Sequence, residues 1–538
     1  ILLGKYLEAI TKRKTSEAIK RLWNLRPKTA IVIRQEKEGE VPVEDLAVGD
    51  IIVVKPGQRI PVDGKIIEGY SSVDESMVTG ESIPVEKNVS DSVIAGTINK
   101  SGAFKFKATK VGKETTLAQI IKLVEEAQGS KAPVQELADK IAAIFVPAVL
   151  LIACVSFLVW FSLGKGFIFA LTTFISVLII ACPCSLGLAT PTAVMVGTGK
   201  AAENGIIIKN AASLQIAHQI KAVIFDKTGT LTIGKPRLTD IKTYGSNEEE
   251  ILQLSASLEN ESEHPLADAI VSAAKSKEIS FYGVDKFVSL PGEGIMGNIN
   301  GNEVIVGNRK LMREKGIDIQ MAGVDLDKFE NQGKTVIFLV KDRQLIGLLA
   351  VRDSLKNFAH ETISKLKKMK KEVMMISGDN KRTASAIARE LGIDKVLAEV
   401  SPKEKLDEIK RIQAGDIKVA FVGDGINDAP ALSQADLGIA IGTGTDVAVE
   451  SGDIILVKDD LRDVAVAIDL SGYAMRKIKE NLFWAFFYNV VGIPIAAGLL
   501  YPLTGFLLNP IIAGAAMAFS SVSVVGNSLL MRGYKRSI

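Results

Sequence analysis

Three short motifs combine carboxylates, hydroxyls and glycines in a pattern suited to phosphoryl transfer. Each follows an apolar run typical of a buried strand, and in open α/β sheets ligands bind at the carboxyl ends of strands. A carboxylate there can attack a phosphoryl group and form an aspartyl phosphate. Because two anions repel, a cation is needed; Lys405 offers one, and acidic oxygens suit Mg²⁺. The motifs are Asp226-Lys227-Thr228-Gly229-Thr230, Ser377-Gly378-Asp379 and Asp424-Gly425-Ile426-Asn427-Asp428.

Taken alone, Asp-Lys-Thr would be an ordinary turn after a strand. The ordered set, however, resembles the haloacid-dehalogenase-like fold in its P-type ATPase form. The resemblance implies that Asp226 is the phosphorylated residue, and that the catalytic site includes Lys405, Ser377 and Asp379. Ser377 stands where many relatives have Thr, which keeps the hydroxyl. The implied Mg²⁺ ligands are Asp226, Thr228, Asp424 and Asp428.

The residue two positions after Asp226 separates a pump from a phosphatase. Hydrolases of this superfamily usually carry a second Asp there as general acid and base, whereas this chain has Thr228. A phosphoenzyme should therefore persist until another domain supplies a base. Ser76-Met77-Val78-Thr79-Gly80-Glu81-Ser82 is an ordinary turn out of context, but here it resembles the actuator loop of P-type ATPases. The resemblance implies that Glu81, with Thr79 and Gly80, positions the attacking water.

A segment with its own strands and turns lies between the first two motifs, and we interpret it as an inserted domain. Its glycines permit close approach of the backbone to a base or phosphate. Each of these short sequences is weak evidence for nucleotide binding by itself, because Gly-x-Gly usually marks a turn. Together they resemble the nucleotide-binding domain of heavy-metal P-type ATPases, and no Walker A sequence is present. The implied ATP-binding residues are Glu259, His264, Gly292, Gly294, Gly307 and Asn308.

Four segments without charged residues are long enough to cross a bilayer, which takes about 20 apolar residues. Any one could be a buried helix of a large soluble protein, but four of them in two pairs favour a membrane domain. Lys and Arg lie mainly at the ends away from the two short turns, which places the polar regions on the cytoplasmic side. The segments are 141–163, 167–196, 482–500 and 510–530.

Cys182-Pro183-Cys184 lies near the middle of the second segment. Proline opens the helix, and open backbone at membrane depth is tolerated where it lines a cavity. The break helps both thiols reach one centre, and soft thiolates favour Cu(I) while also accepting Zn(II). The alternative is that the two thiols are small apolar side chains in a packed interior.

The third and fourth segments bear on the identity of the ion. They contain no Asp, Glu, Lys or His, whereas Zn(II) usually takes four Cys, His or carboxylate ligands. Their polar residues and methionine could be ordinary packing groups. Combined with the cysteine pair, they resemble the Cu(I) branch of the heavy-metal P-type ATPases. The implied Cu(I) ligands are Cys182, Cys184, Tyr488, Asn489, Met517 and Ser521.

The elements that position these residues must form several domains, since 538 residues exceed one core. β-Branched runs broken by Gly and Pro predict a small β-rich domain, and later strands alternating with helices predict a parallel α/β domain. The resemblance to the heavy-metal P-type ATPases implies the full fold class. It is a multidomain membrane protein: an α-helical transmembrane bundle, a β-rich actuator domain, and an α/β haloacid-dehalogenase-like phosphorylation domain with an inserted α+β nucleotide-binding domain. The predicted boundaries are 1–22 for the end of a membrane helix, 23–125 for the actuator, 126–215 and 469–538 for helix pairs, 216–234 and 346–468 for the phosphorylation domain, and 235–345 for the insertion.

Composition excludes other classes. Lys+Arg 65 against Asp+Glu 62 argues against a nucleic-acid surface. All three cysteines, Cys154 included, lie in apolar segments, which argues against a disulfide framework.

The chain begins at Ile1 in what resembles the end of a helix. We interpret this as a missing N-terminal part with a metal-binding domain and the first membrane helices.

The sequence therefore predicts ATP-driven export of Cu(I), or Ag(I), from the cytoplasm through phosphorylation of Asp226. The resemblance implies ATP and Mg²⁺ as cofactors, a prokaryotic plasma membrane as location, and a soluble copper chaperone as a candidate partner. Two alternatives stay open. One is a Zn(II)/Cd(II) pump; the other is a membrane-tethered haloacid-dehalogenase-like phosphohydrolase that transports nothing, against which Thr228 and the cysteine pair argue.

Overall fold

The computed structural model describes residues 27–34, 37–75, 84–182, 185–262, 265–290, 292–424, 428–442 and 450–536. They divide into two compact units. The first holds the described residues within 1–219, 442–459 and 466–538, and the second those within 220–441 and 460–465. Segment 1–22, for which we predict the end of a membrane helix, lies outside the described residues.

The first unit begins with a small β domain built by alternating apolar and polar residues. Phe104, Phe106 and Ala108 of one strand are buried, whereas Lys107 and Thr109 are exposed, which is the two-residue period of a strand with one face on a core. The strands are β1 (Thr29–Arg34), β2 (Lys37–Pro42), β3 (Ile51–Val54), β4 (Asp63–Gly69), β5 (Ser71–Asp74), β6 (Val85–Lys87), β7 (Ser92–Val93), β8 (Ile98–Asn99) and β9 (Phe104–Lys110). They form one sheet in the order β2-β1-β3-β9-β4-β7 and a second in the order β6-β5-β8.

A buried carboxylate attaches this β domain to the helix that follows it. Asp63 accepts hydrogen bonds from the backbone of Ala95 at 2.8 Å and from both the backbone and hydroxyl of Thr116, at 2.7 and 2.8 Å. The remaining elements of the first unit are α1 (Thr116–Gly129), α2 (Pro133–Ser162), α3 (Phe167–Ile180), α4 (Leu186–Glu203), β10 (Ile206–Ile208), α5 (Ala211–Gln219) and β22 (Ile454–Leu456), which pairs antiparallel with β10.

Three further helices close the chain: α14 (Arg462–Ala496), α15 (Tyr501–Thr504) and α16 (Pro510–Leu529). Two described stretches are long and apolar enough to cross a membrane, Ala138–Ser162 and Pro510–Gly533. The predicted second span is divided, because α3 ends before Cys182-Pro183-Cys184 and α4 begins after it. The third predicted span forms the second half of the long helix α14.

A parallel sheet forms the core of the second unit. Its central strand β11 (Ala222–Asp226) is buried at every position. The flanking elements are α10 (Ala359–Lys368), β18 (Glu372–Ile376), α11 (Lys381–Leu391), β19 (Lys395–Leu397), α12 (Pro402–Gln413), β20 (Val419–Gly423), α13 (Ala429–Gln434) and β21 (Leu437–Ile441). Within this unit the strand order is β21-β20-β11-β18-β19, all parallel.

An antiparallel domain is inserted between β11 and β18. Its elements are β12 (Arg237–Thr243), α6 (Glu248–Glu259), α7 (Pro265–Ser276), β13 (Asp285–Leu290), β14 (Gly294–Ile299), β15 (Asn302–Gly307), α8 (Arg309–Glu314), α9 (Gly323–Asn331), β16 (Thr335–Lys341) and β17 (Gln344–Arg352). The sheet order is β12-β17-β16-β15-β14-β13. The two connections to the parallel sheet run side by side, since Ile233 N donates to Ser354 O at 2.9 Å and Lys356 N to Leu231 O at 2.9 Å. The predicted fold class is confirmed.

Candidate functional site

Asp226 lies at the carboxyl edge of the parallel sheet because β11 ends there. The register aligns Asp226 with Ile376 of β18, and Phe225 with Val422 of β20. The residues after those neighbouring strands, which carry the other two motifs, therefore reach the same edge. Asp226 is only 5% exposed, so its carboxylate is shielded from bulk water.

Lys405 bridges two carboxylates at this edge. Its Nζ lies 2.8 Å from Asp226 Oδ1 and 2.7 Å from Asp428 Oδ1. The helix that delivers it, α12, starts at a capping box in which the Glu404 side chain accepts from Ser401 N at 2.8 Å. Burial disfavours the ammonium, but attraction by both carboxylates outweighs burial, and the pKa of Lys405 is raised.

The carboxylates outnumber this cation. Burial, and next the charge of Asp428, raise the pKa of Asp226 to about 7; Asp424 contributes in the same direction. Burial also raises the pKa of Asp428. Such an excess of hard anionic oxygens fits Mg²⁺. Among the described residues no group of three or more His, Cys, Asp or Glu side chains forms a complete metal site.

The Ser377-Gly378-Asp379 motif reaches the site through Lys227. Lys227 Nζ lies 2.8 Å from Asp379 Oδ2, and Asp379 N donates to Ser377 Oγ at 3.0 Å. Thr228 is exposed beside them. We had assigned no role to Lys227, because a lysine next to a motif gives no sign of its partner before the fold is known.

Gly229 allows the loop after Asp226 to turn next to Asp424. Its φ is +72°, and a Cβ there would lie 3.2 Å from Asp424 Oδ2. A side chain at this position would therefore be strained and would crowd the carboxylate. Asp424 and Asp428 are described, whereas Gly425, Ile426 and Asn427 between them lie outside the described residues.

The inserted domain contains a cavity of about 390 Å³. Glu259, at the end of α6, is 7% exposed there, and burial raises its pKa to about 7. Asn308 joins two of the glycine loops, since its Nδ2 donates to Gly292 O at 2.9 Å. The cavity thus brings together five of the six predicted nucleotide residues, while His264 lies outside the described residues. Its lining includes Glu259, Gly292, Gly294, Gly307, Asn308 and Gly378.

A larger, cationic cleft of about 850 Å³ adjoins this cavity and shares Asn308 and Gly378 with it. The Arg309 guanidinium contacts both oxygens of Glu330, at 3.1 and 3.2 Å. Arg382, from the parallel-sheet domain, contacts Asp327 and lies 3.5 Å from Glu330. These arginines were absent from our predictions, since arginines on helices are common. The cations that line the cleft are Arg309, Lys310, Arg313, Lys381, Arg382 and Arg389.

Residues on either side of the helix break pack against the helices that carry the other predicted cargo ligands. Asn489 and Ser521 are buried, and Tyr488 and Met517 are partly buried. Ser185, just after the helix break, lies 2.9 Å from Ser520 through their hydroxyls. Gly492 packs closely against Ile180, just before the break. Cys184 lies outside the described residues, so its role as a ligand beside Cys182 stays a prediction from the sequence.

The predicted actuator loop connects β5 to β6, which pair antiparallel with Val73 opposite Val85. Thr79, Gly80 and Glu81 lie outside the described residues. Their roles stay predictions from the sequence.

The fold and the carboxylate–lysine cluster define a haloacid-dehalogenase-like phosphoryl-transfer protein. Residues 24–125 match the P-type ATPase actuator domain family, and residues 220–436 match the haloacid dehalogenase-like hydrolase family. The chain is 53% identical to a probable copper-exporting P-type ATPase of Archaeoglobus fulgidus and 50% identical to a probable copper-transporting ATPase, PacS, of Synechococcus elongatus. Each match covers 99% of this chain, with 66% and 72% of the relatives' lengths.

The solved structure of a zinc-transporting PIB-type ATPase in its E2·Pi state is similar over 98% of this chain and 86% of its own. The identity is 33% and the TM-score 0.62. The chain therefore belongs to the P-type ATPases, in their heavy-metal branch, whose members are integral membrane proteins. It spans about two thirds of the length of the Archaeoglobus relative.

Proposed function

We propose that the protein is an ATP-driven transporter that exports Cu(I), with Ag(I) as a second cargo, through an aspartyl phosphate at Asp226. The observation that supports this most directly is the buried Asp226–Lys405–Asp428 cluster at the strand edge. An ion pair with only a structural role would need one carboxylate for each ammonium. Here the surplus negative charge around the nucleophile favours binding of a divalent cation such as Mg²⁺ beside it.

Phosphorylation follows from this arrangement. An oxygen of Asp226 attacks the γ-phosphorus of ATP, the bond to the β–γ bridging oxygen breaks, and ADP leaves. Lys405 remains charged and offsets the negative charge that gathers on the transferred group. Asp226, Thr228, Asp424 and Asp428 are the residues that would hold Mg²⁺, which when bound supplies further charge neutralisation.

The two adjoining cavities support a path for ATP. The smaller one suits an adenine ring because apolar side chains such as Leu266, Leu290 and Ile295 line it together with Glu259 and the glycine loops. The larger one has six arginines and lysines in its lining and includes Gly378, next to the Asp379 that pairs with Lys227. A triphosphate that extends from the first cavity into the second would approach the Asp226 edge.

Removal of the phosphoryl group requires a second domain. Thr228 offers no base, and the match of residues 24–125 to the actuator family supports Glu81 as the residue that activates water. Hydrolysis of the phosphoenzyme then resets the cargo site, provided that cargo and phosphate favour different states of the same membrane helices.

Copper is proposed as cargo on two grounds. The residues at the helix break and on α14 and α16 offer thiol, thioether and neutral oxygen, which suit Cu(I). The relatives at 50% and 53% identity carry copper in their names, while the zinc-transporting structure is 33% identical. A prokaryotic plasma membrane, cytoplasmic soluble domains and delivery by a soluble copper chaperone belong to the same proposal.

The test is ATP hydrolysis by the full-length protein under reducing conditions, with Cu(I), Ag(I) or Zn(II) added. We expect stimulation by Cu(I) and Ag(I) that disappears in Cys182→Ser and Cys184→Ser, but persists in the control Cys154→Ser. Labelling with γ-phosphate should give an acid-stable, hydroxylamine-sensitive phosphoenzyme that Asp226→Asn abolishes and Asp240→Asn retains. Activation by Zn(II) alone would show that the cargo is Zn(II) rather than Cu(I). Hydrolysis that does not depend on added metal would favour the membrane-tethered phosphohydrolase.

A further inference from the structure

A layer of buried hydrogen bonds joins three helices of the membrane domain, and Asn481 is its centre. Asn481 is fully buried. Its Nδ2 donates to Ala189 O of α4 at 2.9 Å and to Ser528 Oγ of α16 at 2.8 Å. Its Oδ1 accepts from Asn527 Nδ2 at 2.9 Å. Every hydrogen of this amide is used, and the orientation is fixed because a carbonyl oxygen can only accept.

The layer continues on both sides of Asn481. Asn527 Oδ1 accepts from Lys477 Nζ at 2.9 Å, which anchors the layer toward the charged end of α14. On the opposite side, Ser528 Oγ lies 3.1 Å from Thr192 Oγ1, and Thr192 donates to Leu188 O at 2.6 Å. The first turns of α4, directly after the Cys182-Pro183-Cys184 break, are thus held by side chains of other elements as well as by their own backbone.

The spacing of this layer relative to the proposed cargo ligands is the same on two helices. Asn481 precedes Tyr488 by seven residues on α14, and Ser528 follows Ser521 by seven on α16. Seven residues are about two helical turns and return to the same face. The hydrogen-bonded layer therefore lies about 10 Å from the proposed ligands along each helix, on the face that carries them.

We infer that Asn481 is a positioning residue for transport, which sets the register of α4, α14 and α16 and thereby the geometry of the cargo ligands. This inference rests on the proposed function. If one helix slid along another, the amide of Asn481 would lose its acceptors, and without water in the membrane interior a buried donor has no replacement. The register that satisfies the amide is the one that keeps the ligand-bearing faces opposite the helix break.

The test uses the full-length protein and two readouts. The first is the Cu(I) concentration that gives half-maximal phosphorylation from ATP; the second is phosphorylation of Asp226 by inorganic phosphate without Cu(I). For Asn481→Leu, which keeps the volume but removes the hydrogen bonds, we expect the half-maximal Cu(I) concentration to rise about tenfold, the scale of one lost buried hydrogen bond. Phosphorylation by inorganic phosphate should stay within about twofold of wild type, because the catalytic residues are untouched.

Two further variants keep the inference testable. Ser528→Ala removes one acceptor with almost no change in volume, so a smaller shift in the same direction is expected even if Asn481→Leu fails to assemble. Asn509→Ala, which removes an exposed cap at the other end of α16, should titrate like wild type. Wild-type Cu(I) titrations in both Asn481→Leu and Ser528→Ala would overturn the inference. If Cu(I) does not change phosphorylation of the wild-type protein from ATP, that result would instead overturn the proposed cargo.

Discussion

Asp226 shares a single ammonium, that of Lys405, with Asp428, and this sharing sets the charge state of the nucleophile. The pKa of Asp226 is raised to about 7 by burial and by Asp428. A protonated carboxyl is a poor nucleophile, and Mg²⁺ that arrives with ATP would favour the reactive carboxylate because a nearby positive charge lowers the pKa of a carboxyl. The cluster is therefore suited to react when Mg²⁺ and ATP are bound and to stay unreactive when they are absent.

Asp226→Asn should stabilise the folded protein, and more at pH 8 than at pH 5. In wild type the raised pKa means that the neutral carboxyl stabilises the fold below about pH 4, and that this contribution is lost as pH rises to about 7. Asn stays neutral throughout and leaves Lys405 paired with Asp428. The difference between the two pH values should be on the order of 2 kcal/mol, a shift of a few degrees in thermal unfolding without Mg²⁺.

The matched control is Asp240→Asn, since the pKa of the partly buried Asp240 is lowered, even against burial, by its contact with Lys334. This variant should be destabilised or unchanged at pH 8. A melting temperature for Asp226→Asn at or below that of wild type at pH 8 would contradict the charge surplus at the site.

ATP affinity should fall as pH rises through about 7, because burial raises the pKa of Glu259 to about 7. As a neutral acid, Glu259 can donate to a ring nitrogen of adenine and accept from its amino group; as an anion it can only accept. Glu259→Gln keeps a donor and an acceptor at every pH. We expect wild-type affinity to drop several-fold between pH 6 and pH 8, on the scale of one hydrogen bond, and that of Glu259→Gln to stay flat.

Equilibrium binding of ATP measures this directly, and the full-length protein suffices. A parallel pH slope in wild type and Glu259→Gln would show that another group titrates. The sequence identified Glu259 through its resemblance to a family pattern, but its burial, and hence its titration, follows only from the packing of α6 on the sheet of the inserted domain.

At the scale of elements, the turns after the parallel strands decide whether the carboxylates meet. The order of strand-end motifs predicted that Asp226, Asp424 and Asp428 would share one edge, because parallel strands end on the same side. It could not predict the Lys227–Asp379 pair or the contacts of Arg309 and Arg382 with Glu330. Such pairs join residues far apart in sequence, and periodicity gives no information about partners across elements.

Gly229→Ala should reduce phosphorylation from ATP at least tenfold. A side chain at φ +72° costs roughly 1–2 kcal/mol, and its Cβ would lie 3.2 Å from Asp424 Oδ2, which displaces a proposed Mg²⁺ ligand. Gly245→Ala is the matched control, because Gly245 has φ +85° and open space around it. Strain alone predicts equal effects of the two variants on phosphoenzyme yield; crowding at the site predicts a loss only for Gly229→Ala.

For the whole molecule, ATP use depends on contact between the inserted domain and the parallel sheet. Arg382 of α11 contacts Asp327 and Glu330 of α9, and Thr383 Oγ1 donates to Lys334 O at 3.1 Å. Because burial raises the pKa of Glu330, this carboxylate needs its arginines to stay charged. The contacts close the cleft through which the proposed triphosphate passes.

Arg382→Gln should lower phosphorylation from limiting ATP about threefold, the scale of a partly exposed ion pair. Phosphorylation by inorganic phosphate, which does not involve the inserted domain, should be unchanged. Arg343→Gln serves as control, since Arg343 is exposed and donates only to the backbone of Lys315 among its described hydrogen bonds. Equal losses with ATP and with inorganic phosphate would place the effect of Arg382 in the catalytic domain itself.

Glu81→Gln should leave phosphorylation from ATP intact and slow loss of the phosphoryl group about 100-fold, a typical contribution of a general base. The prediction rests on two domains: Thr228 beside Asp226 cannot act as a base, and we propose that the base is Glu81 of the loop between β5 and β6. Chase of the labelled phosphoenzyme measures the rate. Glu86→Gln, on β6, is the control, and unchanged decay in Glu81→Gln would show that the water is activated elsewhere.

The side-by-side connections of the inserted domain have a consequence for how this chain can change. Since the connecting segments at Ile233 and Ser354 run side by side, the ends of the insertion are only a hairpin's width apart. Closing that gap with a short turn would cost little chain entropy. The insertion thus behaves as a cassette that can be exchanged, lengthened or removed while β11 and β18 stay paired. Selection can therefore alter the proposed nucleotide site within the insertion while the parallel sheet that carries Asp226 stays intact.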